Sequence, residues 1–452
     1  MKNIGILIIF VALFFLFGTN KSLAATYYVS QNDINASDSN PGTESLPWET
    51  LKKATLSVSA GDTVIVKEGE YVDEDASSVH PYPAFRPTNS GTDGSPITFR
   101  SEPRLSARIK AKEYPGGYMA WGINDREYIT IDGFYITGGL RINTGNNIEI
   151  KNSELIGGFY PPSDPSLNWG IALENVSNSI VENNYVHDMI DSGNNSHNCS
   201  CFMVFGESDY NILQKNTADV NNKIAYSGFG QKGGSMDYNV WRYNFVLNGT
   251  VGFLGMGSTD GTAPSTYNDF YQNIVINTDS AFELDHRSED FKIYNNTVYN
   301  CKNLLNAVAD DNLRTEMWNN IASSTEKIFR WSGYPGPLPF STLISYSDYN
   351  NFLGEYSLFA FREKSPSILY YTLGDWQTNE MFDLNSNTAD PQFVNSGGLS
   401  PDDYKRNLYP EDGRGGSYSS IKGAYITGNE IIGYTESSDS IAPNSPTGLS
   451  VL

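Results

Sequence analysis

Short apolar–polar alternations recur along this chain, each closing on an asparagine. Aligned, the segments read NIEIKNSEL, NSIVENNYV, NILQKNTAD, NVWRYNFVL, NDFYQNIVI, DFKIYNNTV and, more loosely, RTEMWNNIA. Their shared positions are Asn152, Asn183, Asn216, Asn244, Asn273, Asn295 and Asn319, spaced 22 to 33 residues apart. β-Branched or alternating apolar residues precede each Asn, and a short apolar strand follows it. A unit of this length with strand content cannot bury its own apolar face, so copies must stack into a solenoid. Stacked amides can hydrogen-bond along the stack. Asn also tolerates the left-handed backbone that a sharp bend between strands requires.

The pattern before the repeats is different. Tyr27–Ser30 reads as a strand and Thr50–Val58 as a short amphipathic helix with Leu51, Ala54 and Val58 on one face. Thr63–Val66 reads as a β-branched strand. A helix at the start of a solenoid covers the open end of the first coil. The pattern therefore predicts an all-β solenoid with a short N-terminal capping helix. Residues 26–127 form its cap and first coils, 128–351 the regular coils and 352–435 an irregular closing segment. Phe159–Asn168 and Gly257–Thr266 read as loops leaving one side, where solenoids commonly build a binding face.

Residues 1–25 read as a signal peptide. Lys2 precedes an apolar run of 14 residues, Ile4 to Phe17, and Ser22-Leu23-Ala24 offers small residues for cleavage. The expected location is secreted or cell-surface, with no membrane span and a monomeric chain. Residues 436–452 read as a Pro/Ser linker that resembles the entry to a further β-sandwich module of the fibronectin type III kind.

Composition narrows the partners. The formal net charge of −22 over 452 residues argues against nucleic acid. It also means that an anionic substrate needs a local basic cleft or a bridging cation. Cys199, Cys201 and Cys301 are too few for a disulfide framework and leave room for one bridge. The 29 tyrosines and 7 tryptophans suit sugar stacking, although Tyr is also common in β-structure.

The segments YYVSQND, SDSNPGTESLPWETLKKA and GDTVIVKEGEY resemble the N-terminal cap of secreted right-handed parallel β-helix proteins of the pectate-lyase-like superfamily, a resemblance that implies a single-stranded right-handed parallel β-helix. SGTDGSPITFRSEP resembles the strand after that cap, and DWQTNE with DLNSNTADPQFVN the closing segment. The resemblance implies a carbohydrate-active protein, foremost a polysaccharide lyase acting on pectate, alginate or a glycosaminoglycan. KGGSMDYNVWRYN is similar to the segment carrying the catalytic lysine of chondroitinase-B-like lyases, and FELDHRSEDFKIYNN to their arginine-bearing coil. Those lyases place the two on neighbouring coils, whereas here GFLGMG intervenes. Aligned with lysine-base pectate lyases instead, Leu254 stands where the base would.

Register can be counted from four aromatic anchors, in CFMVFGE, GFGQKGG, GFLGMGS and AFELDHR. With Phe202, Phe229, Phe253 and Phe282 inward, Glu207, Lys232, Glu283, Asp285 and Arg287 point outward. Lys232 and Asp285 are then two coils apart, roughly 10 Å. β-Elimination of a uronate glycoside needs a base beside the carboxylate and a cation to neutralise it. The catalytic candidates are Lys232 as base, Arg287 on the carboxylate, and His286 or Tyr226 as acid. The same count turns His286 inward, as a core or edge histidine. Glu207, Tyr226, Trp241 and Glu283 are candidate substrate contacts. Asp285 and Glu283 are candidate ligands for a calcium ion. Two alternatives stay open: a glycoside hydrolase using Glu207, Glu283 and Asp285, and a glycan-binding surface module without catalysis.

Overall fold

The computed structural model describes residues 24–72, 85–112, 119–157, 168–189, 199–221, 223–230, 233–258, 260–309, 311–333, 338–354, 356–363, 367–406, 423–425 and 430–435. The expected signal peptide and C-terminal linker lie outside this set, apart from Ala24 and Ala25. Among the described residues the chain winds into a parallel β-helix with one 21-stranded and one 11-stranded sheet. In the central coils, strand Cys199–Phe205 pairs in parallel with Ile224–Gly230, then Val251–Ser258, Ser280–Asp285 and Asn303–Ala307. The 11-stranded sheet repeats the arrangement with Thr217–Asp219, Phe245–Leu247, Ile274–Ile276, Thr297–Tyr299 and Ile321–Ser323.

The asparagine ladder exists, and it is sharper than the sequence pattern. Its rungs are Asn184, Asn216, Asn244, Asn273, Asn296, Asn320 and Asn350, all fully buried. Each Nδ2 donates to the Oδ1 of the next rung, at 3.0 to 3.3 Å, from Asn184 through Asn320. The same Oδ1 also accepts a backbone N–H, so both lone-pair directions are used. Where the sequence has an Asn-Asn doublet, the second Asn is the rung. Asn183, Asn295 and Asn319, named from the pattern, are the preceding residues, with φ of 55°, 53° and 55°. Asn152 likewise has φ 56°, and Ser153 follows it in the rung position. The two properties that favour Asn are thus divided between neighbours. One bends the backbone and the other joins the coils.

The ladder ends on a carboxylate. Asn350 Nδ2 donates to Asp383 Oδ1 at 2.9 Å, and Trp376 Nε1 donates to Asp383 Oδ2 at 3.0 Å. Trp376 belongs to helix Leu373–Glu380, capped by Thr372, and it packs on Phe329, Phe340 and Phe359. This helix closes one end of the core. Helix Leu51–Ser57, whose Thr50 cap accepts from Lys53 N, packs at the other. Both helices cover apolar surface that a terminal coil would otherwise expose. Beyond them the chain turns back along the rod. Gly423 N bonds Asn319 O, Gly433 N bonds Tyr243 O, and Thr435 N bonds Asn183 Oδ1. Ala424, Tyr425 and Ile432 cover Phe245, Ile274, Ile276 and Ile321 on the outside of the smaller sheet.

All three cysteines are free and buried, so the bridge that the count allowed does not form.

Candidate functional site

The central coils are registered by a repeated pair, a small residue followed by an aromatic one. Cys201-Phe202, Ala225-Tyr226, Gly252-Phe253 and Ala281-Phe282 occupy equivalent positions. The small position is crowded by the next coil: a Cβ on Gly252 would stand 2.6 Å from Ala281 O. The aromatic rings turn inward and stack, with centroids 4.7, 4.8 and 5.5 Å apart. Burying each such ring contributes about 2 kcal/mol.

This register corrects the sequence reading at three residues. Tyr226, not Phe229, is the inward aromatic of its coil. It is 1% exposed, so it contacts no substrate and serves no acid role. Trp241 is also a core residue, packed on Phe270 at 4.9 Å, and it does not reach a ligand. Phe229 pairs with Phe205 and Met256 and points outward.

Outward positions form two rows. One runs Met203, Ser227, Leu254, Glu283 and Asn306, and the other Phe205, Phe229, Met256 and Asp285. Met203, Phe205, Phe229 and Met256 form a cluster with Met119, Trp169 and Ala172, separate from the interior core. That cluster was not anticipated; Phe205, Phe229 and Met256 in one strand position, with Met203 in the neighbouring row, were its signal. It ends at the carboxylates. Glu283 accepts from Asn306 Nδ2 at 2.6 Å. Asp285 accepts from the backbone N–H of His286 at 2.9 Å. Both point outward as expected, yet both are nearly buried.

His286 departs from the inward expectation because the strand ends at Asp285. Its side chain is 52% exposed, and its Nε2 lies 3.7 Å from Asp285 Oδ1. His286 and Arg287 have φ of 29° and 54°, the one adjacent pair of non-glycine residues with positive φ among those described. Such backbone is costly for side-chain-bearing residues and persists only where surrounding bonds hold it. Here Gly257 N donates to His286 O at 2.6 Å, Ser265 N to Arg287 O at 3.1 Å, and Arg287 N to Asp311 Oδ1 at 3.1 Å. The Arg287 guanidinium, one-third exposed, donates to Thr262 O at 2.8 Å and lies 3.7 Å from Glu289. Glu289 also meets Arg314, whose guanidinium binds Asp290 at 2.7 and 2.8 Å. Asp290 and Glu289 raise the pKa of Arg314 above its ordinary value. The loop that supplies Thr262 is itself ordered by Asp260, held down at about 2 by the Thr262 and Ser258 hydroxyls.

The remaining candidates are dispersed. Lys232 lies outside the described residues. Glu207 is exposed in the turn after its strand, three coils or about 14 Å from Arg287. His187 sits elsewhere, on strand Tyr185–His187 between Glu154 and Asp188. His80 and His197 lie outside the described residues. The calcium expectation fares poorly on donors. Glu283 and Asp285 offer two carboxylates, against the six to eight oxygens the ion takes. No group of three or more His, Cys, Asp or Glu side chains gathers into a cation site among the described residues.

No family model matches the chain. Over 114 residues, 24% of its length, it is 34% identical to the uncharacterized protein YwoF of Bacillus subtilis (strain 168). The match spans about a fifth (21%) of that relative. Among solved structures, a GH136 lacto-N-biosidase from Eubacterium ramulus is similar, with TM-score 0.50 and 11% identity over 81% of this chain and 67% of that one. The pectate lyase Pel9A is similar with TM-score 0.50 and 14% identity over 89% of this chain and 96% of that one. These likenesses show the parallel β-helix fold.

Proposed function

We propose that this chain is a carbohydrate-active enzyme that cleaves a uronate-containing polysaccharide by β-elimination at the mouth formed by Asp285, His286 and Arg287. One observation carries the reading: a half-exposed imidazole stands 3.7 Å from a nearly buried carboxylate, beside a guanidinium, on strained backbone at the outward edge of the sheet. Arg287 meets the uronate carboxylate, and neutralising that charge acidifies the proton on the adjacent ring carbon. His286 accepts this proton, and Asp285 stabilises the imidazolium so formed. The electron pair of the broken C–H bond forms the ring double bond as the glycosidic C–O bond breaks. The leaving oxygen takes its proton from His286. Lys232 is the alternative base, with His286 then acting only as acid. The outward apolar row of Phe205, Phe229 and Met256 lies on the same face as this mouth. Pel9A, similar in fold, is by name a pectate lyase. Such substrates are extracellular polymers, which agrees with an exported protein. No helix among the described residues is long and apolar enough to cross a membrane.

A second reading rests on Glu283 and Asp285. Two residues apart on one strand, they share a face with Cα atoms about 7 Å apart. Two carboxylates on one face are the groups that paired-carboxylate glycoside hydrolysis uses. The lacto-N-biosidase of similar fold is by name a glycosidase.

The test is incubation with pectate, alginate and glycosaminoglycans, with and without calcium. Ultraviolet absorbance of an unsaturated uronate supports elimination. New reducing ends without it support hydrolysis. Binding without either product leaves a glycan-binding module and ends the catalytic reading.

A further inference from the structure

Around the corner from that mouth, three tyrosines occupy one turn position on consecutive coils. Tyr210, Tyr238 and Tyr267 are 55%, 45% and 47% exposed. Their rings stack with centroids 5.0 and 5.1 Å apart and interplanar angles of 1° and 16°. Each has a φ near +58°, a backbone that bulky side chains avoid. Asn178 and Asp290 fill the same position on the flanking coils, as the backbone prefers.

Stacking alone does not account for this row. The inner stack of Phe202, Tyr226, Phe253 and Phe282 is shielded from water, whereas the turn row keeps about half of each side chain in it. Both faces of the Tyr238 ring are covered by its neighbours, so its exposed area is ring edge and phenol. None of the three hydroxyls has a hydrogen-bond partner among the described residues. The result is a straight comb of hydroxyls that repeats every 5 Å along the rod. That repeat is close to the length of one hexopyranose in an extended chain. The flanking charge selects further. Asp209 and Asp237 immediately precede the first two tyrosines. Asp237 accepts from Thr266, and Asp209 accepts from Asp237 N, so the carboxylates are fixed beside the comb. Such a surface repels a polyanion.

We propose that the Tyr210–Tyr238–Tyr267 comb is a second glycan site, one that binds a neutral, extended polysaccharide along the rod axis. It is separate from the mouth at His286 and does not depend on the elimination reading. Its ligand class differs from the acidic polymer assigned to the mouth. The two sites together suit a protein that holds a neutral matrix glycan while cutting an acidic one.

Native affinity electrophoresis of the full chain in xylan, mixed-linkage glucan and galactomannan, against polygalacturonate, tests the proposal. The wild type should be retarded by at least one neutral glycan. The triple variant Tyr210→Asn, Tyr238→Asn, Tyr267→Asn copies the residue at Asn178, so the turns suit it. It should lose affinity about tenfold or more. Its melting temperature and its action on short oligosaccharides should stay unchanged. Should the triple variant melt early, Tyr238→Phe keeps the stack and removes the middle hydroxyl, and it should still weaken retardation several-fold. A wild type that no neutral glycan retards overturns the site. So does a folded triple variant, or a Tyr238→Phe variant, that migrates like the wild type.

Discussion

Gly257 donates its N–H to the carbonyl oxygen of His286 at 2.6 Å, and a Cβ on Gly257 would stand 2.5 Å from that same oxygen. The turn that projects His286 and Arg287 therefore depends on an absent side chain one coil away. Gly257→Ala should push this turn outward and misplace both groups. A displacement of about 1 Å can cost on the order of 100-fold in rate. Polysaccharide cleavage by Gly257→Ala should fall by about that factor, while its circular dichroism stays that of a β-helix. Full activity in a folded Gly257→Ala protein would show that the turn position is irrelevant to the chemistry.

The doublet Asn295-Asn296 separates bending from joining. Asn296 accepts from Asn273 N and Nδ2 and donates to Phe270 O and Asn320 Oδ1. Asn296→Ala strands several buried partners, each worth about 1–3 kcal/mol. Urea unfolding should show a loss of roughly 3 kcal/mol or more. Asn295 has φ 53°, which glycine adopts freely, so Asn295→Gly should change stability by only about 1 kcal/mol. Equal losses at the two positions would contradict this division.

Tyr226 offers a test of the core register. Its hydroxyl is buried, has no hydrogen-bond partner among the described residues, and burial holds its pKa well above the ordinary value. Tyr226→Phe should leave cleavage unchanged and leave stability equal or about 1 kcal/mol higher. A large fall in turnover would return Tyr226 to the reaction.

The overall winding was legible in the sequence because the ladder asparagines and apolar strands recur in phase. The register of the outward face was not. Counting from Phe229 shifted one coil by three residues, since the loops vary in length and a second aromatic stands outward at 205 and 229. The small residue before each inward aromatic, Cys201, Ala225, Gly252 and Ala281, carried the correct register. Its cause is the close approach of the next coil's backbone. His286 was misplaced for another reason: strand alternation was extended past the point where the strand ends. Arg287, Glu283 and Asp285 came out on the expected side, because they lie on or beside a strand whose anchor, Phe282, was right.

His187 gives a pH-dependent signature of folding. Burial works to lower its pKa, yet hydrogen bonds to Glu154 at 3.3 Å and Asp188 at 2.8 Å hold it above the ordinary value. A folded-state pKa above the unfolded one contributes stability that is complete below the unfolded value of about 6.5 and fades as pH rises through the folded value. The melting-temperature gap between wild type and His187→Gln should therefore be wider near pH 5.5 than near pH 8.5. A gap that widens toward alkaline pH would reverse the assigned sign.

The mouth is tested most directly by following unsaturated-uronate absorbance on acidic polysaccharides for the wild type, His286→Ala and Arg287→Ala, all three folded by circular dichroism. The expected result is a steady rise for the wild type on at least one polymer, reduced about 100-fold or more in each variant. A wild type that releases no unsaturated uronate from any of these polymers, or variants that match its rate, would contradict it.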